Sequence, residues 1–163
     1  MHPLRFSLSS IPEKGLTLNV RVSEDDLRPE GVGSLDIQEV VVSGLLEELN
    51  GSYLFRGTVT GTYRRACDRC LVPVERAFSS VVCWTFEQGT IEDPWSRYDR
   101  ETRDVSDEEV DSSVGYFVGD ELDMSSLTWE EVVLALPLKC LCRDDCAGLC
   151  PRCGQNLNEV TCD

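Results

Sequence analysis

Nine cysteines occur in this 163-residue chain, and six of them fall within residues 140–163. Residues 140–163 are too rich in Cys, Asp and Gly to build an apolar core, so something other than burial must hold them. The remaining cysteines include a second close pair, Cys67-Asp-Arg-Cys70, which mirrors Cys150-Pro-Arg-Cys153-Gly in the tail. The first residues, MHPLRFSLSS, have neither a charged n-region followed by an apolar run nor a cleavage site, so the thiols are expected to stay reduced in a cytoplasmic setting rather than form a disulfide framework. An odd number of cysteines also forbids complete pairing. Metal or redox chemistry remains.

Two thiolates separated by two residues can share one ion if the backbone turns tightly between them, and a glycine after the second lets its amide approach sulfur. Cys67, Cys70, Cys150 and Cys153 together would make a tetrahedral all-sulfur set. Such a set leaves no position for water and suits structural Zn2+, although iron accepts the same ligands. The tail offers alternatives. Cys142, Cys146, Cys150 and Cys153 could close a local site, or Cys67 and Cys70 could join Cys142 and Cys146 while Cys150, Cys153 and Cys162 hold a second ion. Cys83, between Val82 and Trp84, reads as a small buried apolar side chain. The sole histidine is His2, so neither a multi-imidazole site nor a Cys-His nucleophile pair is readily assembled.

The apolar pattern in the first half has period two: Leu16, Leu18, Val20 and Val22, then Val40 and Val42, then Val82, Trp84 and Phe86. That is the signature of half-buried strands. Asn50-Gly51 lies between two such runs and supplies the positive φ angles of a two-residue hairpin turn. The first cysteine pair then lies at the tip of the following hairpin. Asp123, Ser125 and Ser126 can cap a helix over about 125–136 that stops before Pro137. The expected fold is α+β, mainly an antiparallel sheet or partly open barrel with one or two helices and a zinc-ribbon-like cysteine tail. Residues 1–137 would form the β-rich domain with an acidic loop about 88–115. Residues 138–163 would form the metal-binding tail, packed against the hairpin tip at 67–70.

The formal charge is -15, distributed in blocks. Residues 87–131 carry a net -12, whereas residues 56–76 carry +3 through Arg56, Arg64, Arg65, Arg69 and Arg76. Non-specific attraction to nucleic acid or anionic membrane is disfavoured over most of such a surface, and a basic partner suits it better. Arg64, Arg65 and Arg69, beside the first cysteine pair, are candidates for RNA phosphate or partner contact. They could equally serve as solvated charge that offsets a thiolate cluster. No apolar run approaches the roughly 18 residues of a membrane span. A Gly-rich phosphate loop and a catalytic carboxylate pair are also lacking, so neither an enzyme nor a small-molecule site is indicated.

Cys67-Asp-Arg-Cys70-Leu with Pro73-Val74, Leu122-Asp123, Leu134-Ala-Leu-Pro137, and Cys146-Ala-Gly-Leu-Cys150-Pro-Arg-Cys153-Gly-Gln-Asn-Leu-Asn158 resemble, in order and spacing, the YceD (DUF177) family of large ribosomal RNA subunit accumulation proteins. The resemblance spans about residues 40–163. It implies a non-enzymatic ribosome-biogenesis factor supporting large-subunit ribosomal RNA, with a large-subunit ribosomal protein or pre-ribosomal particle as partner. Combined with the charge, that suggests an acidic, zinc-stapled adaptor or chaperone for a basic ribosomal protein. Two other readings compete: a thiol redox protein using Cys150 and Cys153, and a zinc-ribbon RNA-binding module using the arginines.

Overall fold

The computed structural model describes residues 3–89 and 113–161. The expected acidic loop falls largely on 90–112, and His2 and Cys162 likewise lie outside the described residues.

Five strands form the main sheet, in the order β2 (Leu16–Val22), β3 (Ile37–Leu49), β4 (Ser52–Ala66), β5 (Pro73–Gln88) and β6 (Ser113–Phe117). The first four are antiparallel neighbours, while β6 pairs parallel with β5. A two-stranded ribbon joins β1 (Arg5–Ser7) to β7 (Glu121–Asp123). The sheet does not close into a barrel. Asn50 and Gly51, at φ 54° and 85°, make the tight turn from β3 to β4, as the dipeptide dictates.

Strand alternation sends Val40, Val42, Leu46, Phe55, Val59, Val82, Trp84 and Phe86 to one face, where all are buried. Leu127, Trp129 and Val132 of α2 (Ser125–Ala135) belong to the same core. Phe55 packs beside Trp84 with ring centroids 5.3 Å apart. The opposed Gly44 and Gly57 leave room for the Phe55 ring, whose Cζ would lie 2.8 Å and 2.7 Å from a β-carbon at either position. Cys83 does not join this core. Its neighbours Val82 and Trp84 both point inward, so alternation turns Cys83 to the other face, where it is half-buried opposite Arg56.

Ser125 donates its amide to the Asp123 carboxylate at 2.8 Å, so the expected carboxylate satisfies an orphan donor at the start of α2. A shorter helix, α1 (Glu24–Leu27), begins with a reciprocal Ser23–Asp26 capping box. Within α1 the buried Glu24 carboxylate accepts the amides of Leu35 (2.6 Å) and Ile37 (2.9 Å) and the Ser34 hydroxyl (3.0 Å), fixing the chain that enters β3. Among the described residues, no helix is long and apolar enough to cross a membrane.

Candidate metal centre

The long β4–β5 hairpin ends in a turn that carries Cys67 and Cys70. Cys67 donates its amide to the Val72 carbonyl at 2.8 Å, and Leu71 donates back to the Cys67 carbonyl at 2.9 Å. Closing this turn puts Leu71 at φ 63°, a left-handed conformation that costs a non-glycine residue roughly 1–2 kcal/mol. Its side chain is exposed. The turn points both cysteine side chains inward: Cys67 is fully buried and Cys70 nearly so.

The tail is brought onto this tip by polar contacts. Asp68 donates its amide to the Cys140 carbonyl (2.8 Å), and Cys140 donates its amide to the Asp68 carboxylate (2.7 Å). Three guanidiniums complete the seam: Arg65 donates to the Pro137 carbonyl (3.2 Å), Arg76 to that of Cys142 (3.1 Å) and Arg69 to that of Cys146 (2.8 Å). Guanidiniums offer several donors in a fixed fork, and carbonyl contacts leave their charge in place. Among the described residues, Arg64, Arg65, Arg69 and Arg76 form no ion pair. Arg64 and Arg65 line a groove of about 510 Å³ with Asp36, Asp68 and Leu136.

The seam places the sulfurs of Cys67, Cys70, Cys142 and Cys146 within 4.8 Å of one another. Cys67 Sγ is 3.8 Å from Cys146 Sγ, and Cys70 Sγ is 3.6 Å from Cys142 Sγ. A tetrahedron with metal–sulfur bonds of about 2.3 Å has edges of about 3.8 Å. The spacing is therefore that of four ligands around one ion, and far longer than the roughly 2.05 Å of a disulfide.

The four thiols differ in how readily they ionise. Burial opposes ionisation of Cys67, but the amides of Cys70, Arg69 and Cys142 outweigh it and hold the thiol down at about 6. Burial likewise opposes the Cys146 thiolate, and the Asn158 side chain and Gly148 amide bring its pKa below the ordinary value. Cys142 moves the other way, pushed up to about 12 by burial and by the sulfurs of Cys146, Cys70 and Cys67. At Cys70 the Val72 amide favours the thiolate, but burial and the Cys67 and Cys146 sulfurs raise its pKa. Four clustered sulfurs cannot all ionise without positive charge among them. A metal cation held among them would supply it.

Asn158 was not singled out as a functional residue by sequence, yet it organises the tail side of the cluster. Its amide nitrogen donates to Cys146 Sγ at 3.4 Å, and its oxygen accepts from the Ala147 amide and the Arg143 guanidinium, each at 2.8 Å. Outer-sphere donors of this kind orient ligands and tune their charge. Its signal in the sequence was its place at the end of the Cys146–Asn158 motif, close behind Cys153-Gly154.

Of the allocations open to the sequence, the structure gathers Cys67 and Cys70 with Cys142 and Cys146. Cys150 and Cys153 lie outside this group, on a separate turn closed by the Gly154 amide to the Cys150 carbonyl (2.8 Å) and the Cys150 amide to the Gln155 carbonyl (2.8 Å). Cys140 is buried but contributes its backbone, not its sulfur, to the seam.

A family model described as large ribosomal RNA subunit accumulation protein YceD matches residues 55–163. Uncharacterised proteins of Mycobacterium bovis and Mycobacterium tuberculosis are 30% identical over 112 residues, covering 69% of this chain and 48% of theirs. A Mycobacterium leprae protein is similar at the same identity, with 46% of its length covered. The chain thus spans about half the length of these curated relatives. No solved structure matches.

Proposed function

The chain belongs to the YceD family of large ribosomal RNA subunit accumulation proteins, and from that premise we propose that it is a non-enzymatic assembly factor. In this reading it acts as an acidic adaptor or chaperone for a basic large-subunit ribosomal protein. Its tail is held to the sheet by a structural zinc bound to Cys67, Cys70, Cys142 and Cys146. The observation that carries the reading is the closed sulfur cluster. Four thiolates saturate a tetrahedral ion, so the metal would act as a scaffold rather than a reaction centre.

The formal charge of -15 supports a basic partner. Opposite charge speeds encounter, and at cellular salt it is screened beyond roughly 8 Å, which keeps the contact reversible. Direct contact with ribosomal RNA is a second reading, supported by one feature: Arg64, Arg65, Arg69 and Arg76 beside the hairpin tip, which form no ion pair among the described residues. The two readings differ in what Arg64→Ala with Arg65→Ala would do. Under the adaptor reading, binding to the basic protein persists; under the RNA reading, steeply salt-dependent binding to ribosomal RNA fragments is lost.

The experiment is capture of the chain from growing cells, with released fractions sorted by sedimentation and probed for RNA and protein. Recovery with a free basic large-subunit protein or with large-subunit precursors supports the proposal. Recovery with neither, together with an unchanged ratio of large- to small-subunit RNA in cells lacking the protein, would contradict it.

A further inference from the structure

The turn at Cys150–Gly154 repeats the turn at Cys67–Leu71 in backbone detail, although the two are distant in sequence. In each, the first cysteine donates its amide to the carbonyl five residues on, Val72 or Gln155, at 2.8 Å. Its carbonyl accepts the amide four residues on, Leu71 at 2.9 Å or Gly154 at 2.8 Å. That fourth residue is left-handed in both, at φ 63° and 75°. The residues flanking each turn pair antiparallel at the same offsets, Ala66 with Pro73 and Leu149 with Asn156.

The sulfur environments correspond as well. In the first turn the Arg69 amide, two residues beyond Cys67, is aimed at the Cys67 sulfur. In the second the Arg152 amide, two residues beyond Cys150, lies 3.4 Å from Cys150 Sγ. An amide donor to sulfur favours the thiolate, the form that binds metal. Glycine at the left-handed position lets the second turn adopt this geometry without the penalty Leu71 incurs in the first.

We propose that Cys150 and Cys153 form the knuckle of a second site for a thiophilic divalent cation of the zinc class, distinct from the four-sulfur cluster. The first turn delivers two of the four sulfurs of that cluster, so a turn of the same construction presents two sulfurs in the same way. Cys150 is buried while Cys153 is exposed, so the knuckle anchors to the fold on one side and faces solvent on the other. Two sulfurs do not saturate a tetrahedral ion. Positions not filled by protein sulfur go to water or an incoming donor.

Cobalt(II) titration of the reduced, metal-free full chain tests this, because thiolate–cobalt absorption reports each ion as it binds. The wild type should take up two equivalents, and Cys150→Ser with Cys153→Ser should take up one while keeping the tetrathiolate spectrum. Saturation of the wild type at one equivalent that survives this double substitution would overturn the second site and leave the first intact. Loss of the single equivalent only in Cys67→Ser with Cys70→Ser would do the same. A readout independent of folding variants is alkylation of Cys153 in the wild type. The second equivalent should slow it, and an unchanged rate would overturn the proposal.

Discussion

Asp68 and Cys140 exchange two hydrogen bonds across 72 positions of sequence, amide to carbonyl at 2.8 Å and amide to carboxylate at 2.7 Å. This reciprocal pair sets where the tail meets the hairpin, and hence which tail thiols reach Cys67 and Cys70. Asp68→Ala leaves the Cys140 amide without its acceptor, which costs about 1–3 kcal/mol. Faster amide exchange in 137–146 is expected, with β3 and β4 unaffected; equal exchange in variant and wild type would remove Asp68 from this role.

Asn158→Ala deletes the donor to Cys146 Sγ and the acceptor of the Ala147 amide while leaving all four sulfurs in place. Loss of an outer-sphere partner typically weakens metal binding about 10–100-fold. Competition with a chromophoric chelator reads this directly. Wild-type affinity in Asn158→Ala would show that the amide does not tune the cluster.

Gly57→Ala tests the packing that gives the sheet its shape. The added β-carbon would sit 2.7 Å from Phe55 Cζ and 2.9 Å from Gly44 Cα, and overpacking of this kind costs about 1–3 kcal/mol. The urea midpoint should fall with the slope unchanged. Because Phe55 lies far along β4 from the cysteine turn, cobalt binding by the folded fraction should be retained.

Burial opposes the Glu24 carboxylate, but the amides of Leu35 and Ile37 and the Ser34 hydroxyl hold its pKa below the ordinary value. A depressed carboxylate contributes stability that is fully present above the unfolded pKa of roughly 4.3 and is lost as pH falls through the folded value. Glu24→Gln should therefore be less stable than wild type at pH 7, with the gap narrowing once the pH drops below that unfolded value. A gap that is constant with pH would assign the effect to shape rather than charge. Comparing the two proteins also separates this term from metal release in acid, which both share.

The sheet was legible because its cause is local. Period-two burial marked β2, β3 and β5, and Asn50-Gly51 marked their most regular turn. The cysteine tip followed from the same logic. Cys83 shows how that logic can be misapplied: alternation that buries Val82 and Trp84 had to turn Cys83 outward. The capping box at Ser23 and Asp26 has a local signature, whereas the three-residue ribbon of β1 and β7 pairs residues more than a hundred positions apart, Arg5 with Asp123 at one end, and leaves no local trace. Which thiols gather at the tip was hidden for a related reason. The matching form of the two C-x2-C pairs suggested that they share an ion, but the path of the tail is set by Asp68, Arg65, Arg69 and Arg76, which bring Cys142 and Cys146 to the tip instead. Spacing describes a turn; only tertiary contacts decide which turns meet.

A structural zinc contributes roughly 10–16 kcal/mol of apparent binding free energy, comparable with the roughly 5–15 kcal/mol net stability of a whole domain. Order at the seam between hairpin and tail should depend on it. Hydrogen exchange followed by mass spectrometry, on zinc-loaded protein and on protein verified metal-free, measures that dependence. The account predicts that removing the ion strips protection from 67–72 and 139–149 while β3, β4 and the inner half of β5 stay protected. Undiminished protection of 139–149 in the metal-free protein would contradict it.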